Sequence, residues 1–220
     1  MTHATRAEEA LRAEVLATAR RLNDEGLSRG TSGNVSARLD GDAFLVTPSG
    51  VPYDRLAPSD VVIVEMNGDV PHGQREPSSE WRMHRDLYAG RPEVRGVVHA
   101  HPPFATTLAC LRRTIPAVHY EIAFAGGRDV RCADYATYGT EELSRAALAA
   151  MEGRTACLLA NHGILAVGPS LDLAFRVARV VETVAEVYWR ALAVGEPVIL
   201  DDAEMDRVLA KFAGYGQGAA

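Results

Sequence analysis

The chain has 220 residues, long enough for one substantial core and short for two. Hydrophobic residues make up 47% and charged residues 24%, an ordinary soluble balance, and no apolar run approaches the ~20 residues of a membrane span. The formal charge of −6 argues against a nucleic-acid surface, so an anionic ligand needs local help from backbone N–H groups.

The N-terminal segment shows no apolar stretch of a secretory signal. Cys110, Cys132 and Cys157 lie far apart without a CxxC pair, so free thiols and a cytoplasmic location are expected. One composition detail bears on chemistry. Lys211 is the single lysine and stands near the C-terminus. An enzyme that forms a Schiff base needs a buried, partly deprotonated lysine, so any carbonyl chemistry here is better served by a metal.

In chain order, Leu11, Val15, Ala19 and Leu22 recur at helical spacing and Gly26 closes that helix. Phe44–Thr47 and Val61–Met66 read as strands, the second ending in an Asn67-Gly68 turn. Ser79–Tyr88 reads as a helix with a Ser-Ser cap, closed at Gly90. Val94–His101 is a strand and Phe104–Leu111 a short helix, while Val118–Phe124 and Val130–Cys132 look extended. Thr140 caps a helix with Glu141 and Glu142 in its first turn. Ala156–Ala160 and Ile164–Val167 flank an Asn161-His162-Gly163 corner, Ser170 caps a long helix, and a last helix covers about 203–212. Without repeats or linkers, the chain is expected to be one α/β domain over 1–220, with a mobile tail from about 213. Its architecture is expected to be an α/β/α sandwich with a mostly antiparallel sheet between helical layers.

His99 and His101 stand at i and i+2 on an apolar strand, so both imidazoles leave the same face, within reach of one ion at ~2.0–2.1 Å. Two half-buried histidines satisfied by hydrogen bonds fit the same pattern. His162 shifts the balance: it ends a second apolar strand, and three histidines leave positions open on a catalytic zinc. His3, His72 and His119 receive no role, and His84 reads as a helix-surface or packing residue. Glu80 is a candidate fourth ligand or base, although an acidic residue in a first helical turn is common without function. The small-residue turns 30–34, 47–50 and 78–79 offer N–H groups and hydroxyls for a phosphate, and neither a P-loop nor GxGxxG is present.

Taken in order, seven segments resemble the class II sugar-phosphate aldolases and their 4-epimerase relatives, most closely the fuculose-phosphate aldolase branch. They are GTSGNVSAR (30–38), TPSGVPY (47–53), EPSSEWRMH (76–84), VVHAHPPFAT (97–106), AVHYEIAFAGG (117–127), CADYATYGT (132–140) and ANHGILAVG (160–168). The resemblance runs from about Ala7 to Tyr215. It implies that His99, His101 and His162 bind zinc, with manganese or cobalt as chemical alternatives. Glu80 would ligate the ion and then act as acid/base. Thr31, Ser32, Gly33, Asn34, Ser49, Gly50, Ser78 and Ser79 would hold the phosphate and ketose.

The resemblance further implies a fourfold homotetramer in which Tyr120 from a neighbouring subunit handles the aldehyde oxygen. Tyr138 would line the aldehyde pocket and Tyr215 would close it. The expected reaction is cleavage of an L-fuculose 1-phosphate-like ketose to dihydroxyacetone phosphate and a small aldehyde. A 4-epimerase, a methylthioribulose-phosphate dehydratase and a sugar-acid-phosphate decarboxylase share the histidines; the epimerase carries aspartate where Glu80 stands. A non-enzymatic adducin-like domain and a zinc-stabilised binding protein are the remaining rivals.

Overall fold

A computed structural model describes residues 3–213, so Tyr215 lies outside the described residues. Helix α1 (His3–Asp24) buries Val15, Ala19 and Leu22 of the stripe read from the sequence, with Leu11 partly buried and Leu16 added to the buried face. Seven strands follow: β1 (Asn34–Arg38), β2 (Ala43–Val46), β3 (Val62–Glu65), β4 (Gly96–Ala100), β5 (Cys132–Ala133), β6 (Ala156–Leu159) and β7 (Gly163–Gly168). They form one sheet in the order β3-β2-β1-β4-β7-β6-β5, antiparallel except for β5 beside β6. The other helices are α2 (Trp81–Gly90), α3 (Pro103–Cys110), α4 (Glu141–Ala150), α5 (Leu171–Val194) and α6 (Asp202–Ala213).

Strand alternation sorts side chains between two cores. Val35, Leu45, Val98 and Ile164 face α1, α3 and α5, whereas Phe44, Val64, Val97 and Leu165 face α2 and α4. Helices therefore cover both faces, which is the expected sandwich. Thr140 and Ser170 cap α4 and α5 as read, accepting the N–H of Leu143 at 3.3 Å and of Leu173 at 3.2 Å. Glu182 of α5 accepts the N–H groups of Phe104 and Ala105 at 2.9 and 2.8 Å, which pins the start of α3 just beyond β4. Among the described residues, no helix is long and apolar enough to cross a membrane.

Three expectations need correction. Strand β1 was not foreseen: Asn34 reads as part of a small-residue turn and Ser36 receives no element, yet both are buried on the α2 face. Val118–Phe124 is not extended: Tyr120–Ala125 forms a 3-10 turn, opened by His119, whose Nδ1 accepts the Glu121 N–H at 3.3 Å. The period-two apolar spacing there was accidental, since consecutive Ile122 and Ala123 are both buried. Of Val130–Cys132, only Cys132 enters a strand, while Val130 bridges Ile115.

Phe175 of α5 is fully buried, with the Arg21 guanidinium 4.0 Å above its ring centre. Phe175→Ala should lower unfolding free energy by about 3–5 kcal/mol in a urea titration, because the sheet cannot collapse into the void. A loss under about 1 kcal/mol would place the helix–sheet core elsewhere.

Candidate metal centre and anion cavity

The register of the sheet assembles the site. Antiparallel pairing sets Asn34 of β1 opposite His99 of β4, and Leu165 of β7 on the other side of His99. His101 follows β4 by one residue, and the two rings lie 4.7 Å apart, as the i, i+2 spacing requires. His162 occupies the turn between β6 and β7, with its ring 4.7 Å from His99 and 5.0 Å from His101. One nitrogen from each of the three lies within 4.8 Å of the others.

Close backbone approach makes this cluster possible. A Cβ on Gly163 would stand 2.4 Å from the Ala100 carbonyl oxygen and 2.6 Å from the His101 ring. Gly33 has φ +80°, and a Cβ there would meet Ser28 Oγ at 2.7 Å and the His99 carbonyl at 2.8 Å. Glycine is therefore required at both positions. Asn161 holds the corner with a left-handed φ of +53°; its N–H donates to the Ala109 carbonyl at 3.0 Å.

Helix α2 starts at Trp81, two residues later than expected, with Glu80 at its N-cap position, and the Glu80 side chain makes no capping bond. Ser78 Oγ accepts the Glu80 N–H at 3.3 Å instead. The freed carboxylate is 7% exposed and turns into the histidine cluster. Its Oε2 lies 3.1 Å from His99 Nε2 and accepts from Asn34 Nδ2 at 2.9 Å, while Oε1 lies 3.4 Å from His162 Nε2. Oε1 has no hydrogen-bond partner.

Electrostatics follow from this crowding. Burial pushes Glu80 toward protonation, but the His99 charge and hydrogen bond, with His162 and Asn34, outweigh it and hold the carboxyl well below the usual range. Burial lowers His99 too, yet Glu80 and the Ile164 carbonyl raise it overall. Burial and the neighbouring rings bring His101 down to about 3 and His162 to about 4, so both imidazoles are neutral donors at neutral pH. His99 Nδ1 bonds the Ile164 carbonyl at 2.8 Å, which directs Nε2 toward the cluster.

These observations fit a divalent ion. A tetrahedral zinc at ~2.0–2.1 Å spaces its ligands roughly 3.4 Å apart. His99 Nε2 and His101 Nε2 are 2.9 Å apart, and the two Glu80 contacts are 3.1 and 3.4 Å. A buried carboxylate oxygen without a donor, beside two neutral imidazoles and His99, is a donor set that fits one cation.

A cavity of about 340 Å³ opens beside the cluster. Thr31, Ser32, Gly33 and Asn34 line it, together with Ser49, Gly50, Ser78 and Ser79, so all eight expected residues meet there. Glu80, His101, His162 and Tyr138 border it as well. Sequence reasoning missed Tyr135 and Asn161 on its wall, although both stand inside segments singled out for their motifs. No lysine or arginine lines it among the described residues. Hydroxyls and backbone N–H groups are thus what an anion meets. Tyr120 does not join: it is 49% exposed and lines a separate groove with Phe124, Lys211 and Phe212.

The chain matches the family described as Class II Aldolase and Adducin N-terminal domain over residues 13–189. It is 54% identical over 210 residues to a 5-methylthioribulose-1-phosphate/5-deoxyribulose-1-phosphate aldolase of Rhodospirillum rubrum, covering 96% of this chain and 94% of the relative. It is 43% identical to an L-fuculose phosphate aldolase of Escherichia coli, covering 92% and 94%. A solved L-fuculose 1-phosphate aldolase superposes with a TM-score of 0.90 at 45% identity, covering 93% of this chain and 96% of that one.

Because a Gly163 Cβ would collide with both the Ala100 backbone and the His101 ring, Gly163→Ala should displace His162 and His101 relative to each other. Zinc affinity measured against a competing chelator should fall by about 10–100-fold. Unchanged affinity in a folded variant would show that the corner does not set the ligand.

Proposed function

The chain belongs to the class II aldolase family and is a carbon–carbon lyase, and we propose that it cleaves a ketose 1-phosphate to dihydroxyacetone phosphate and a small aldehyde. The observation that carries this reading is Glu80, a buried carboxylate with one orphaned oxygen, facing three histidines beside a hydroxyl-lined cavity. His99, His101 and His162 would hold the ion, with Glu80 as a fourth, displaceable ligand. Zinc fits the nitrogen-rich set, and manganese or cobalt would also be accepted. When bound, it supplies Lewis acidity at the ketose carbonyl and absorbs negative charge as the C3–C4 bond breaks.

The residues then divide the work. Thr31, Ser32, Gly33, Asn34, Ser49, Gly50, Ser78 and Ser79 hold the phosphate end and fix the ketose in register. The C4 hydroxyl must lose its proton as the aldehyde leaves, and the three-carbon fragment must gain one at C3. Glu80, which faces the cavity, would carry the C3 proton. Tyr120 of the partner subunit handles the proton on the aldehyde oxygen; its exposure, away from the cavity of its own chain, supports that assignment and a symmetric homotetramer. Tyr138, which shares the cavity wall with Tyr135, would line the aldehyde side.

For the aldehyde half, the Rhodospirillum relative named for 5-methylthio and 5-deoxy substrates is more similar than the fuculose-phosphate relative. The aromatic outer wall also favours an apolar end over a hydroxylated one. A 5-deoxy- or 5-methylthio-ribulose 1-phosphate is therefore preferred to L-fuculose 1-phosphate.

A coupled assay of dihydroxyacetone phosphate release across ketose 1-phosphates should give the highest kcat/KM for the 5-deoxy or 5-methylthio pentulose. No release from any of them, with isomerised or dehydrated product instead, would overturn the aldolase reading. Glu80→Gln should keep the metal and lose about 10²–10⁴-fold in kcat; a near-normal rate would leave Glu80 a structural carboxylate.

A further inference from the structure

A line of buried polar groups runs behind Glu80. Asn34 and Ser36 leave β1 on one face, while Glu80, His84 and Tyr88 recur every fourth residue along α2. Asn34 Nδ2 donates to Glu80 Oε2 at 2.9 Å, and Asn34 Oδ1 lies 2.5 Å from His84 Nε2. His84 Nδ1 lies 2.6 Å from Ser36 Oγ, which lies 2.7 Å from the Tyr88 hydroxyl. His84 and Ser36 are fully buried, and Tyr88 is 1% exposed.

Donor logic gives this line one direction. A carboxylate only accepts, so the Asn34 amide must present its NH2 to Glu80 and its carbonyl to His84. His84 then carries its proton on Nε2. Burial brings His84 down to about 3, so it is neutral and its bare Nδ1 accepts from Ser36. Ser36 in turn accepts from Tyr88. Every hydrogen points toward Glu80.

Packing alone does not call for this arrangement. Phe44, Val46, Met83, Leu87 and Val97 fill the same face, and apolar residues at 36, 84 and 88 would extend that core without buried polar groups to satisfy. We propose that His84 is a positioning residue for aldol cleavage: its Nε2–H locks the Asn34 amide with NH2 toward the cavity and so aims the Glu80 carboxylate. This rests on reading Glu80 as the acid/base. Were the amide to turn over, its carbonyl oxygen would face a carboxylate oxygen at contact distance, and Glu80 would be driven off its position.

The test compares His84→Gln, whose longer amide reaches Asn34 as a donor, with His84→Asn and His84→Leu, which leave Asn34 Oδ1 unpaired. In metal-loaded protein, the Asn and Leu variants should lose about tenfold or more in kcat. KM should move less than about threefold, and the Gln variant should recover most of the rate. Equal kcat for Gln and Asn variants, or wild-type kcat for either unpaired variant, would overturn the proposal; should the Leu variant not fold, the Gln–Asn pair decides. Nitrogen-15 NMR of labelled histidine should show His84, identified by its absence in the Gln variant, protonated at Nε2 and bare at Nδ1. The opposite tautomer would also overturn it. Absent release by wild-type enzyme would instead sink the aldolase reading, while the NMR result still judges the lock.

Discussion

Burying an ionised carboxylate costs several kcal/mol unless positive charge and hydrogen bonds meet it. Glu80 is buried at the start of α2, and what meets it is one amide N–H and a cluster of imidazole nitrogens. The electrostatic response of the cluster shows the demand. His99 is drawn toward the protonated state, while His101 and His162 are driven toward the neutral one. Charge of one sign is wanted at a single point, with neutral nitrogen lone pairs around it. A divalent cation meets that demand more fully than a proton on His99, and gives the orphaned Oε1 a partner.

The sheet exists, in functional terms, to set up this constraint. Its central strands β1, β4 and β7 are antiparallel, which brings Asn34, His99 and the chain after His162 to one end of the sheet. Glycines 33 and 163 allow loop backbone to lie against the His99–His101 segment. Glu182 fixes the start of α3, so that the chain leaves His101 in one direction. The cavity beside the cluster then forms where segments 31–34, 48–50 and 78–80 meet residues 135–138 and the His101 and His162 corners. No cationic side chain is needed there, and the single lysine stands in a different groove.

Much of this was legible in the sequence where a local rule applies. Helical stripes, the Thr140 and Ser170 caps, and the i, i+2 histidines each depend on neighbours within a few residues. The eight residues that line the cavity from 31–34, 49–50 and 78–79 were singled out through ordered motifs that resemble a family, since separate Ser/Gly turns carry little information alone. Other features depend on contacts across long sequence separations. Asn34 reads as a turn residue and Ser36 receives no element, because their partner His84 lies 50 and 48 positions away. His84 read as a packing or surface residue for the same reason. The 3-10 turn at Tyr120 imitated strand alternation over four positions, and no local signal distinguishes the two.

The account turns on one ion held by three imidazoles and a carboxylate. X-ray absorption of the zinc-loaded protein tests it most directly. One zinc per chain should show only nitrogen and oxygen neighbours at ~2.0–2.1 Å, with the multiple-scattering pattern of imidazoles lost in part in a His162 variant. Sulfur neighbours at ~2.3 Å, or failure to retain a stoichiometric ion, would contradict it.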